Sequence, residues 1–119
     1  MKLVAISLLL VAFGQMAPGI SGKWSGSFQV KGDDGHVPQF FVLTQEGMKL
    51  TGTGGPDASE RYPIADGKIA GGHVTFDLTN AFAKFTYDLT DSGSQMKGKL
   101  TIRSINSTRT ADVILTKSD

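Results

Sequence analysis

Cysteine is absent from the 119-residue chain, which excludes disulfides, thiolate zinc centres and a cysteine nucleophile. The lipid-modified cysteine that tethers many exported bacterial proteins is excluded with them. Charge of one sign is not in excess either. Twelve Lys and Arg face eleven Asp and Glu, which leaves no basic footprint for nucleic acid and no polybasic patch for anionic lipid. No stable membrane anchor is expected. Tryptophan occurs once, at Trp24. No window beyond residue 22 keeps a helical period, so no glycine-rich loop cradles a phosphate at a helix N-terminus. The length fits one domain.

What the chain does have begins with an address. Met1-Lys2 precedes an apolar run from Leu3 to Phe13 that is broken only by Ser7. A positive start followed by an apolar stretch shorter than the ~20 residues of a membrane span reads as a signal peptide. The alternative is an N-terminal helix packed on the domain. Ala17-Pro18-Gly19 sets small residues at the −3 and −1 positions for a cut after Gly19. A cut after Ser21 is a second option, and one after Ala17 would put Pro18 at +1, where peptidases work poorly. The expectation is a signal peptide over residues 1–19 and one domain over residues 20–119. That domain would act outside the cytoplasm, in the periplasm or as a secreted protein. Lacking disulfides, it would rely on its core alone.

From Gly22 onward apolar and polar residues alternate between turn signals, the pattern of an all-β domain. Trp24, Phe28 and Val30 share one face of a first strand, and Val37 to Thr44 form a second. Met48 to Gly54 and Ser59 to Ile64 follow, with a short piece around Ile69 between the turn signals Asp66-Gly67 and Gly71-Gly72. Val74, Phe76 and Leu78 alternate with Thr75, Asp77 and Thr79; Phe85, Tyr87 and Leu89 repeat the pattern. Met96, Leu100 and Ile102 oppose Lys97, Lys99 and Thr101, and a last strand from Arg109 to Lys117 turns Ala111, Val113 and Leu115 inward. About eight strands with short links predict an antiparallel up-and-down β-barrel, with a β-sandwich as the alternative. Closure is favoured because an open sheet without helices would expose its edges. Residues 87–98 also echo residues 41–52 at a constant offset of 46, as two four-stranded halves would.

Gly22-Lys23-Trp24, opening the first strand, resembles the Gly-x-Trp signature of lipocalin-like, or calycin, barrels. Thr90-Asp91 is similar to the Thr-Asp turn of that family. The resemblance implies that Trp24 closes one end of the barrel and that Arg109 packs across it as a cation. Leu50-Thr51-Gly52-Thr53, with Ser59 and Tyr62, looks like avidin-type sequence. Biotin binding there uses several tryptophans and a tyrosine after that strand; here Trp24 stands alone and Gly54 takes the tyrosine's place. The long first loop and C-terminal helix of lipocalins are missing too. The chain looks like the minimal secreted bacterial barrels of the superfamily.

Few residues suggest chemistry. Asp33, Asp34 and His36 share one turn, which suits turn geometry better than a metal site. His73 begins a strand without a visible nucleophile or orienting acid. Glu46 and Glu60 are the only glutamates, and Asp77 and Asp88 fall on outward positions, so no carboxylate pair forms a general acid–base site. Asn106-Ser107-Thr108 reads as a turn. No catalytic residue, metal site or cofactor is expected.

A barrel interior lined by Trp24, Phe28, Phe41, Phe76, Phe85, Tyr87 and Met96 suggests a small apolar or amphipathic ligand. Phe40 and Val42 point opposite to Phe41 and Leu43, so one pair must face outward. Either a bulge near Pro38 tucks it into a seam, or it forms a surface for a second copy or a protein partner. Gly26, Gly52 and Gly98 fall on inward positions. They are either bends that let a filled barrel close or the lining of a ligand cavity. A binding barrel and a filled interaction module are the two functional classes that remain.

Overall fold

The computed structural model describes residues 19–118, so the expected signal peptide lies outside the described residues except for Gly19. Eight strands follow in order: β1 (Gly22–Val30), β2 (Val37–Glu46), β3 (Lys49–Gly55), β4 (Tyr62–Ala70), β5 (His73–Thr79), β6 (Lys84–Asp91), β7 (Gln95–Arg103) and β8 (Thr108–Lys117). Each pairs antiparallel with the next, and β8 pairs with β1 to close the barrel. The all-β barrel reading holds, and no sheet edge is left open. Odd-numbered strands run away from Trp24. The near end therefore holds Trp24 and the β2–β3, β4–β5 and β6–β7 turns, and the far end holds the other four links.

Period two does the sorting. In β5, Val74, Phe76 and Leu78 are buried, whereas His73 and Thr79 are exposed. In β2, Gln39, Phe41 and Leu43 point inward, and Phe40 and Val42 lie half-buried on the outer face. The β1–β2 register runs without a break from Gly22↔Leu43 to Phe28↔Val37. There is no bulge near Pro38, and the outward pair is a surface feature.

The bulge sits elsewhere. Asp66-Gly67 was expected to turn the chain, yet β4 passes straight through it, paired with β3 on one side and β5 on the other. Both registers slip there, and Asp66 takes a left-handed conformation with φ of 55°. One extra residue reverses the inward parity from Tyr62 and Ile64 to Gly67 and Ile69. The expected start at Ser59 is also corrected. The Asp57 carboxylate accepts from Ser59 N, Ser59 Oγ and Glu60 N at 2.8–2.9 Å. That turn keeps residues 59–61 out of the strand.

Candidate functional site

The near end is sealed from within. Trp24 is fully buried, and its indole N–H donates to the Ile20 carbonyl at 2.9 Å. Ile20 is buried as a plug beside it. The cation over the Trp24 ring is Lys117, at 5.9 Å from the centroid. The resemblance had assigned that role to Arg109. Arg109 begins β8 at the far end, where it pairs with Asp33 at 3.0 Å. Register explains the correction, because Lys117 is the β8 partner of Trp24.

The middle of the barrel is aromatic. Phe41 meets Phe76 and Tyr87 edge-on with centroids 5.4 Å apart, and Phe76 stacks on Tyr87 at 4.7 Å. Such pairs add about 0.5–1.5 kcal/mol each beyond the area they bury. Of the seven interior residues singled out in the sequence, these three are in mutual contact. Met96 and Trp24 lie toward the near end, and Phe28 and the half-buried Phe85 toward the far end.

One polar pair escaped the sequence reading. The Tyr87 hydroxyl donates to Gln39 Oε1, and Gln39 Nε2 donates to the Pro38 carbonyl at 3.0 Å. The parity of Phe41 and Leu43 does place Gln39 inward, once that pair is known to be the inner one. A cavity of about 50 Å³ lies at the far end against Gln39, Tyr62, Leu78, Phe85 and Tyr87. Burial raises the Tyr87 pKa far above its ordinary 10.0, so the phenol stays a donor. Because the folded state holds this proton longer than the unfolded chain, stability should fall as pH rises above 10. Tyr87→Phe should flatten that loss. At neutral pH it should cost about 1–3 kcal/mol, because the buried Gln39 Oε1 loses its donor. Urea melts at pH 7 and pH 11 check both.

The three inward glycines do not line a cavity. A Cβ on Gly26 would fall on the Ile114 carbonyl, one on Gly52 on the Val42 carbonyl, and one on Gly98 on the Asp88 carbonyl. Neighbouring strand backbones already occupy the space, as sharp coiling of short strands requires. Gly54 likewise lies under the Phe41 ring, where an added Cβ would fall on the ring edge.

A larger hollow, about 630 Å³, opens where the β3–β4 pairing is interrupted and reaches the inward side chains Leu50 and Ile64. Its lining includes Met48, Lys49, Leu50, Ile64 and Lys68. The histidines stand apart from these hollows: His73 Nε2 faces Asp88 at 2.5 Å on the exposed sheet face, and His36 borders a surface hollow of about 80 Å³ with Asp112 and Ile114. Asp33, expected to share a turn with His36, gives its carboxylate to Arg109.

No protein-family profile matches the sequence, and no curated protein matches it. Among solved structures, the zebrafish ileal bile acid-binding protein complexed with cholic acid is similar in fold. Its TM-score is 0.50 at 15% identity, covering 85% of this chain and 100% of that one. The likeness extends to the barrel architecture.

Proposed function

We propose that this chain is an exported, non-enzymatic barrel of the lipocalin-like class, filled inside and active through its outer surface. The filled interior carries the reading. Small-molecule pockets span roughly 300–1,000 Å³, whereas the cavity against the aromatic centre at Tyr87 is about 50 Å³ and strand backbones crowd the glycines. Tyr87, at the centre, keeps its proton through burial and is poorly suited to acid–base chemistry. Outside, Val42, Phe40 and Pro38 pair with Lys23, Ser25 and Ser27 of β1, with Ile114 of β8 across from Ser27. Arg61 covers part of this seam, 5.8 Å from the Phe40 centroid. A second copy or an envelope protein fits such a face.

A second reading keeps a small amphipathic ligand but moves it to the hollow in the barrel wall between β3 and β4. Leu50 and Ile64 provide apolar lining there, and Lys49 and Lys68 are direct cross-strand partners, a pairing suited to an anionic head group. The fold neighbour's complex with cholic acid is in keeping with it. Native mass spectrometry of exported protein, with titration by cholate and long-chain fatty acids, separates the two. The first reading expects a chain without Met1–Gly19, a bare mass and no saturable binding. Stoichiometric binding lost on Lys49→Glu with Lys68→Glu would replace it with the second.

A further inference from the structure

Two apolar side chains at the far end are covered by none of the described residues. Phe82 is 85% exposed and Ile105 95%. Phe82 stands in the β5–β6 turn and Ile105 in the β7–β8 turn. These turns are neighbours, because β6 and β7 pair directly and enter them at the partners Lys84 and Arg103. Each turn is closed on itself. Asn80 N donates to the Ala83 carbonyl at 3.1 Å, and Asn80 Oδ1 accepts from Phe82 N at 2.7 Å and Ala83 N at 2.9 Å. Ser104 N donates to the Ser107 carbonyl at 2.9 Å, and the two serine hydroxyls share a 3.0 Å hydrogen bond. Both tips thus present an apolar side chain on backbone with internal hydrogen bonds, which lowers the cost of entering an apolar medium.

Beneath the tips lies a like-charge pair. Lys84 and Arg103 face each other across the β6–β7 ladder, an unfavourable arrangement by itself. Lys84 reaches Asp77 at 3.6 Å, and Arg103 makes no ion pair among the described residues. Of the acidic groups in the other far-end loops, Asp33 is held by Arg109 and Asp57 by its own turn; Glu60 accepts from the Tyr62 hydroxyl, and Asp34 is exposed in the β1–β2 link. We propose that this end docks reversibly on an anionic phospholipid bilayer, with Phe82 and Ile105 in the interfacial region and Lys84 and Arg103 at the lipid phosphates. The proposal rests on the surface-acting reading above and adds to the Phe40 seam a second surface, at the far end, with a lipid partner. Two separate protruding points give a protein partner little contiguous area to bury. A bilayer admits them singly and supplies phosphates at the depth of the cations. Two anchors and two cations make a weak contact, in keeping with a chain of balanced charge.

The test mixes the exported chain with vesicles of phosphatidylethanolamine and phosphatidylglycerol, or of phosphatidylcholine alone, and reads the bound fraction by sedimentation. Binding is expected to the anionic vesicles and to weaken as salt rises. Phe82→Ser with Ile105→Ser should lower the affinity about tenfold or more. Lys84→Gln with Arg103→Gln should erase the preference for phosphatidylglycerol. Brominated lipid should quench the indole of a Phe82→Trp chain and spare Trp24 at the opposite end. Wild type left unbound, or a serine variant that binds as wild type does, overturns the proposal. So does a dimer that the serine variant dissolves, since the tips would then belong to a second copy. A small molecule retained in the native mass overturns the surface-acting reading and not the docking. Unbound vesicles with a bare mass do the reverse.

Discussion

A Trp24→Ala chain should melt about 15–30 °C below wild type, a shift that follows from a loss of about 3–5 kcal/mol in a domain of this size. The indole is fully buried at the near end, with Ile20 below it and Lys117 beside it. Removing it opens a cavity that the closed ladder cannot collapse around, because β1 is held at this point by both β2 and β8. The Ile20 carbonyl loses its donor at the same time. Measured against a total of about 5–15 kcal/mol, such a loss takes much of the stability. Trp24→Phe separates the contributions, since it keeps most of the packing and loses the hydrogen bond. It should fall between the two. Calorimetry decides, and an alanine variant melting within a few degrees of wild type would show that the ring seals nothing.

Gly98→Ala is the second large effect, because the smallest possible side chain already finds no room. The added carbon would meet the Asp88 carbonyl and approach the Leu89 Cα to 2.8 Å. Both obstacles are backbone of β6, which cannot swing aside as a side chain can. The cost should lie toward the top of the usual overpacking range of about 1–3 kcal/mol. Gly35→Ala is the control, with nothing within 4 Å of the added carbon, and should change stability by no more than about 0.5 kcal/mol. Denaturant melts of the pair give the comparison. Equal stability would mean that β6 and β7 stand further apart than described and that the interior has space to give.

Strand order and closure were legible because alternation is a local signal and short links leave few ways to connect eight strands. Register was not, and the main corrections follow from it. Arg109 and Lys117 are cations at opposite ends of the same strand. Only the pairing of β8 with β1 decides which of them meets Trp24. Asp66-Gly67 has the chemistry of a turn, but ladders on both flanks turned it into a bulge. In β2 two apolar pairs compete for the inside, so Gln39 could not be placed before the parity was known. The aromatic centre was readable as inward-facing. That it fills the barrel depends on how closely strand backbones approach at Gly26, Gly52 and Gly98, a three-dimensional quantity with only a faint trace in composition.

Ile20 carries a consequence for how the chain survives trimming. Its carbonyl serves the Trp24 indole, its amide reaches Gln45 Oε1 at 3.3 Å, and its side chain is 1% exposed. An aminopeptidase working inward must pull this residue out of the barrel before it can bind the bond beyond it. Degradation from the N-terminus should therefore stall at Ile20, at the mature end that a cut after Gly19 would create. A cut after Ser21 would discard the plug and leave the indole N–H without its acceptor. The barrel end would thus act as a ruler for any trimming that reaches it, with Ile20 as its last mark.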